Sequence, residues 1–516
     1  MKIQLHTLLF AIFFVCTTHG YAQTTIIPDS NFEQALIDLG HDTGTPDGSI
    51  ITATANAVTG TLDLRNKNIS NLTGIKAFTS IDKLDIRENS ITTLDLSNLT
   101  NLIYLEAADN GMTSVDVSGL TNLKNLILQR NSLTSVNLTG LSSLDYLYLG
   151  ENNLTSINVN DSPNIRRLYV NQNSNLGNFT INHISTLVTL KAQATAITSL
   201  TIDLANHPAL ALIEAFDCTN LGTLSFSNSG TGTPVLTKVD IRNSAVTSLD
   251  ITSITSLEIL EAEGNGMTSI TANGVSSLKR LIVQNNNLTS INLSGLSSLE
   301  YLYAGQNQLT SIDVSGSHPS LSRLYVNDNS NLGNFSVSNL IGLNRFRAND
   351  TNISSLDLSS NTSLTQVHIH NNTSLTEVNI QNGNNTAIAT ADFLANDNPN
   401  LACVRVDNDT WSDTNWTTIT NSPNIDFSTT CTLGVGDFEQ SKISLYPNPV
   451  SGSQLFIASE SALSFKLYDI TGRLINRGSL AAGKTSINLS SLNRGVHFIS
   501  LQSDSGNTQN FKFIRK

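Results

Sequence analysis

The chain has 516 residues, with 28 Lys and Arg against 41 Asp and Glu, for a formal charge of −13. That balance argues against a nucleic-acid partner, because phosphate binding needs a basic face. Charged residues make up only 13% and aromatics 6%; Asn, Ser, Thr and Leu fill the gap, which is unusual for a compact enzyme.

Lys2 and the apolar run from Leu8 to Cys16 read as the first two regions of an export signal, and Gly20-Tyr21-Ala22 places small residues at −3 and −1 before Gln23. The run is about nine residues, half of what a membrane span needs. Cys16 raises the alternative of a lipidated N-terminus, against which stands Val15, a poor residue before a lipidated cysteine. Residues 1–22 are thus expected to be a signal peptide, and no later segment could cross a bilayer. Residues 23–55 are expected to form an N-terminal helical cap. Ser30 and Glu33 read as a capping box, Phe32, Leu36 and Leu39 line one face, and Gly40 ends the helix. The stretch Asp42 to Gly48 has a faint calcium-loop look but lacks the full ligand series, so it reads as a plain turn.

Residues 56–402 repeat. Asn89, Asn110, Asn131, Asn152 and Asn173 recur every 21 residues, each closing a Leu-x-Leu-like segment such as Leu126-Ile127-Leu128. The frame loosens at Thr195, Cys218 and Ser244, and returns at Asn265, Asn286, Asn307, Asn329, Thr351, Asn372 and Asn398. With an opening unit at Asn68, this makes about 16 turns. The two aliphatics point to one side of an extended segment, and the asparagine amide can satisfy backbone groups at the bend that follows. A single turn cannot bury its apolar side alone, so neighbours must stack. Cys218 occupies an asparagine position and reads as a buried substitute in the ladder.

This pattern resembles the leucine-rich repeat family over roughly residues 56 to 402. Each unit continues with a second alternating stretch, as in Ile91 to Leu96 and Leu288 to Leu293. A 21-residue unit leaves little room for a helix there, and the chain looks like the nested bacterial subtype with both sides of each turn extended. The expected fold is mainly β: a solenoid of about 16 turns with little helix, near 75 Å long at about 4.8 Å per turn, followed by a small antiparallel β-sandwich.

Residues 403–435 read as a C-terminal cap with Trp411 and Trp416. An exported protein can hold a disulfide, and Cys403 with Cys431 would close a loop of about 28 residues, worth roughly 3 kcal/mol. A linker follows at 436–441. Residues 442–516 alternate apolar and polar in short runs split by turns, the pattern of the sandwich. Their landmarks are Tyr446-Pro447-Asn448-Pro449-Val450, Leu467-Tyr468-Asp469-Ile470-Thr471-Gly472-Arg473 and Leu492-Asn493-Arg494-Gly495-Val496-His497-Phe498, with Lys512-Phe513-Ile514-Arg515-Lys516 at the end. These resemble the C-terminal sorting domain of type IX secretion substrates of the Bacteroidetes, with His497 where an aromatic is usual. The resemblance implies passage through the periplasm and outer membrane by the type IX machinery, leaving a secreted or surface-attached protein.

In the leucine-rich repeat family, residues flanking the two strand aliphatics, and the one between them, form an exposed concave face where partners commonly bind. Seven of the nine tyrosines after residue 22 fall on such positions: Tyr104, Tyr146, Tyr148, Tyr169, Tyr301, Tyr303 and Tyr325. Arg167 and Arg323 join them, making two Tyr-Tyr-Arg-Tyr sets. The sets are copies, since Glu106 to Leu187 aligns with Glu261 to Leu343 at an offset of 155 and later 156. Tyrosine and arginine are frequent hot-spot residues, so these nine residues are the candidate ligand-binding set. Tyrosine also favours strands and packs in cross-strand pairs, and a duplicated ladder without a ligand is the competing reading.

Catalytic chemistry finds no foothold in the sequence. There is no phosphate-cradling glycine loop, nucleophile elbow or metal-type Cys pair. His368 and His370 share a strand face without an evident third metal ligand. Glu106, Glu261 and Glu263 lie on an open face without the pocket a hydrolase needs. No cofactor or metal is expected. The function expected is non-enzymatic binding or adhesion, with an extracellular protein or polysaccharide as partner; the alternative is a spacer or surface-coat protein with no specific ligand.

Overall fold

The computed structural model describes residues 22–316, 318–417, 425–431, 443–459, 461–503 and 508–516. All but the last residue of the expected signal peptide, and the whole linker 436–441, lie outside the described residues. The chain divides into two compact units between Thr429 and Thr430.

The first unit follows from the repeat. Each turn donates one short strand, and 16 of them, from Gly60–Asp63 to Phe393–Leu394, form a single parallel sheet in chain order. The central residue of each three-residue strand faces inward, and Leu105, Leu147, Leu168, Leu302, Leu324 and Phe346 are all fully buried. Each such burial is worth about 1.5–3 kcal/mol, and the stack joins them into one core running from Ile27 to Phe427.

The asparagines form the ladder that holds successive turns together. Asn152 is typical: its amide donates to Leu149 O (3.1 Å) and Gly150 O (3.2 Å) in its own turn and to Leu128 O (2.9 Å) in the turn before. Its side-chain oxygen accepts from Leu133 N at 3.0 Å. Where the frame loosens, smaller side chains make part of this set. Thr195 donates to Ala192 O at 2.8 Å, and Cys218, fully buried with a free thiol, reaches the same carbonyl at 3.2 Å.

The residue before each ladder position adopts left-handed backbone, from Glu88 (φ 57°) to Asp397 (φ 58°), with Gly264 (φ 68°) among them. An ordinary L-residue pays about 1–2 kcal/mol there, and Asn or Asp pays less. Asp109, Asp217, Asn243, Asn285, Asp328, Asp350 and Asn371 accordingly fill many of these sites, while Arg130 and Glu151 are held there by the ladder bonds of the next residue.

The second side of each turn is extended but does not make a continuous sheet. Among the described residues its strands pair in short sets: Ser199–Asp203 with Thr223–Ser227, Ser248–Asp250 with Ser269–Thr271, and four strands from Ser355–Asp357 to Asp426–Ser428. The other turns end this side in an Asx turn, a feature that the paired strands share at Asp250, Asp357 and Asn379. Asp95, Asp116, Asn137 and Asn158 each accept from the backbone N–H two residues on, at 2.9–3.1 Å. Asp95, Asp116 and Asn137 meet there in single bridges.

Both ends of the solenoid are covered. The N-terminal helix is Ser30–Asp38, but its cap is Asp29 and not Ser30. Asp29 Oδ1 accepts from Asn31 N and Phe32 N, while Oδ2 accepts from Ser70 and Asn71 of the first turn. Glu33 is not the reciprocal cap; it accepts from Asp47 N and Gly48 N and so pins the Asp42 to Gly48 turn. At the far end Cys403 and Cys431 are disulfide-bonded. Trp416, 2% exposed, stacks on Phe393 at 4.1 Å and donates its indole N–H to Ile388 O at 3.1 Å.

The second unit contains two antiparallel sheets. One joins Ser444–Tyr446, Gln454–Ser459 and Gly483–Asn488; the other joins Leu463–Tyr468, Leu474–Leu480, Gly495–Ser503 and Thr508–Arg515. Their inner faces share a core that includes Leu455, Ile457, Leu467, Ile499 and Phe513. His497 is 5% exposed and stacks on Phe513 at 5.6 Å, so it packs as the usual aromatic would. Asp469 organises the hairpin of its motif, accepting from Thr471 N, Thr471 Oγ1 and Arg473 Nε at 3.0, 2.6 and 3.0 Å.

Candidate ligand-binding face

The outer face of the long sheet is made of the first and third residues of each strand. Parallel pairing without register shift turns those positions into columns. Tyr146 lies opposite Arg167 and Tyr148 opposite Tyr169; Tyr301 lies opposite Arg323 and Tyr303 opposite Tyr325. Eight of the nine candidate residues thus gather into two clusters of four. Tyr104 stands apart, separated from Tyr146 by the strand Asn125–Ile127. Its hydroxyl donates to Glu106, which also takes Arg87 at 2.6 Å.

The two clusters have the same residues and different packing. In the first, Tyr169 meets Tyr146 and Tyr148 edge-on, at 5.3 Å and 81° and at 5.4 Å and 79°. In the second, Tyr303 stacks flat on Tyr325 at 4.5 Å and 5°, with Tyr301 beyond at 6.3 Å and 12°. The neighbouring strand supplies the difference. Beside Tyr325 is Arg347, whose planar guanidinium lies 4.4 Å from the ring centroid. Beside Tyr169 is Lys191, whose ammonium is drawn to Glu214 at 2.9 Å and sits 5.4 Å from the ring.

Burial first, then Tyr169 and Tyr148, pushes Tyr146 up to about 12. Burial also raises Tyr148 and Tyr104. These hydroxyls therefore stay protonated and can donate near neutral pH.

Between the clusters the face carries charge. Lys238 meets Glu261 at 2.9 Å, Arg242 meets Asp240 at 2.8 Å, and Arg280 meets Glu261 at 3.8 Å. Sequence reasoning singled out Glu261 but missed Lys191, Lys238 and Arg280, along with Arg345 and Arg347 further on. Applying the same strand-column rule to every turn, not to tyrosine alone, would have found them. A cavity of about 270 Å³ lined by Leu72, Lys76, Leu94 and Asp95 lies beside the N-terminal cap and contains none of the tyrosines. The tyrosine face is part of an open sheet.

His368 and His370 lie 6.3 Å apart, ring centre to ring centre. Among the described residues no group of three or more His, Cys, Asp or Glu could hold a metal ion. Burial, then Arg347 and His370, lowers His368 to about 4. The unfolded chain binds the proton more readily, near pH 6.5, so stability is full above that value and falls as pH drops through the folded pKa. Urea midpoints measured from pH 6.5 to 4 should decline less steeply in His368→Gln than in the parent. Equal slopes would show that His368 does not contribute.

A protein-family model described as the secretion system C-terminal sorting domain matches residues 444–516. Among solved structures, the functional domain of InlJ from Listeria monocytogenes, which includes a cysteine ladder, is 22% identical with a TM-score of 0.55. It covers 96% of this chain and 99% of its own. An internalin, InlF, of the same species is 20% identical over 67% of this chain and 90% of its own, with a TM-score of 0.39. YopM from Yersinia enterocolitica is 18% identical over 68% and 83%, with a TM-score of 0.35. No curated protein sequence matches the chain. Among the described residues no helix is long and apolar enough to cross a membrane. The chain is a leucine-rich-repeat solenoid ending in a secretion system C-terminal sorting domain, which marks it for type IX export to the cell surface or beyond.

Proposed function

We propose that the exported solenoid is a non-enzymatic binding or adhesion protein whose long sheet face grips an extended extracellular protein or polysaccharide. The supporting observation is the recurrence of one Tyr-Arg-Tyr-Tyr arrangement, in the same strand register, on two separate parts of that face. Seven strand steps separate corresponding residues, a distance of about 34 Å. Two equivalent grips so spaced suit a long or repetitive ligand. The clusters would supply large, rigid contact area, protonated hydroxyls and a cation at small entropy cost.

The spacer reading draws on the packing of the second cluster, where tyrosines cover one another's faces. A screen of the exported chain against immobilised glycans and cell-surface proteins separates the two. Tyr148→Ala combined with Tyr303→Ala should weaken the bound partner at least ~30-fold, a hot-spot loss of about 2 kcal/mol. A ligand held equally by parent and variant would remove these tyrosines from the binding face, and the absence of any ligand would favour the spacer.

A further inference from the structure

The two clusters arose from one block, yet they do not present the same chemistry. One strand beyond each cluster the first copy has Thr189 and Lys191, and the second has Arg345 and Arg347. Pairing places Arg345 beside Arg323 and Arg347 beside Tyr325. In the first copy the added cation is neutralised, because Lys191 pairs with Glu214 at 2.9 Å. In the second copy the following strand offers Gln366 and His368 in place of a carboxylate. The contacts of its arginines are neutral: Arg323 donates to Tyr303 Oη at 3.2 Å and Arg347 to Gln366 Oε1 at 3.2 Å. Arg347 Nε is buried with no hydrogen-bond partner. The nearby carboxylate of Asp392 is engaged by Gln366 at 2.7 Å.

The rings explain how these cations are held. Arg323 lies 4.5 Å above Tyr301, and Arg347 lies 4.4 Å above Tyr325. With the ring faces occupied by guanidinium and by one another, a ligand meets guanidinium edges and hydroxyls. That surface favours anionic oxygens over the flat face of a neutral sugar.

Resting on the reading of this face as a binding surface, we propose that the second cluster, formed by Arg323, Arg345 and Arg347 on Tyr301, Tyr303 and Tyr325, selects a polysaccharide bearing carboxylate or sulfate groups. Arg323 and Arg345 project from adjacent strands about 4.8 Å apart, a spacing close to the length of one pyranose unit. A regularly charged glycan can therefore present one anion per strand. Residues 442–516 are themselves basic, with nine Lys and Arg against three Asp and Glu, so binding is assigned to this patch by the response of its own arginines.

The test measures binding of the exported chain to polygalacturonate, dextran sulfate, neutral dextran and poly-glutamate of similar length. The parent should bind at least one acidic polysaccharide at least ~10-fold more tightly than dextran or poly-glutamate, with affinity falling as salt rises. Arg345→Thr with Arg347→Lys, which restores the residues of the first copy and keeps the fold's own side chains, should remove most of that preference. Arg167→Thr in the first cluster should leave it intact. Failure to bind either acidic polysaccharide, unchanged binding by the double variant, or equal binding of poly-glutamate would each overturn the proposal. If that happens while the tyrosine double variant still loses a partner found by screening, the anion assignment alone falls. If the tyrosine variant is also silent, the binding-face reading falls with it.

Discussion

Replacing Asn173 by alanine should cost about 3–5 kcal/mol, among the largest effects of any single polar substitution in the solenoid. Asn173 is fully buried; its amide donates to Leu149 O at 3.0 Å, Val170 O at 2.9 Å and Asn171 O at 3.3 Å, and its oxygen accepts from Leu154 N at 2.9 Å. Alanine would leave Val170 O and Leu154 N in the core without partners, while Asn171 O keeps Glu151 N at 2.9 Å and Leu149 O keeps the Asn152 amide at 3.1 Å, and each such orphan costs about 1–3 kcal/mol. Asn173→Thr should cost roughly half as much, because Thr195 shows how a hydroxyl at this place recovers one carbonyl bond, to Ala192 at 2.8 Å. Urea unfolding would measure the loss. Since each turn contacts only its neighbours, hydrogen exchange should quicken near Leu154 and Leu168 before it does near Leu324. A loss below about 1 kcal/mol would show that the ladder asparagines do not anchor the stack.

Trp416→Ala should cost a similar amount, about 3–5 kcal/mol, and should also make the protein self-associate. Its ring packs on Phe393 at 4.1 Å, Phe427 at 5.5 Å and Trp411 at 5.6 Å. Phe393 begins the last strand of the 16-stranded sheet, so truncation opens the final turn as an unpaired edge. Trp411, only partly buried, should cost less when truncated. Serine in place of Cys403 and Cys431 should cost roughly 3 kcal/mol through the released loop. Thermal unfolding and size-exclusion chromatography would check these values; a monomeric Trp416→Ala protein of unchanged midpoint would refute the capping role.

Much of the solenoid was legible because its causes are local. A 21-residue period, a Leu-x-Leu segment and a closing asparagine each act within a few residues, and stacking then has one solution. The left-handed residue before each asparagine was harder to read. Asn and Asp mark many of these positions, but Arg130, Glu151 and Gln172 carry no such signature and adopt the conformation because their neighbours are already bonded. The Asx turns were legible in retrospect, in motifs such as Asp95-Leu96-Ser97 and Asn137-Leu138-Thr139. The second side of each turn is extended, as its alternating aliphatics imply, but its pairing into short sets and single bridges carries no signature in residue order. At the N-terminus, Ser30 was a sound local choice of cap. Asp29 takes that role because its second oxygen also meets Ser70 and Asn71, a contact the local pattern does not contain.

The candidate face divides along the same line. The positions of the tyrosines, their duplication and the sorting domain were all legible in residue order, because each is a matter of spacing. How the rings pack was decided by the tertiary structure alone. Tyr169 and Tyr325 are equivalent in the repeat, yet one sits edge-on and the other flat, through Lys191 and Glu214 in one copy and Arg347 in the other. A ring's orientation and a cation's freedom depend on side chains more than twenty residues away, brought within a strand's width by the stacking of turns. The amino-acid sequence by itself thus determined the repeat, its core and the export address; only the folded sheet decided which cations meet a carboxylate and which meet neutral groups.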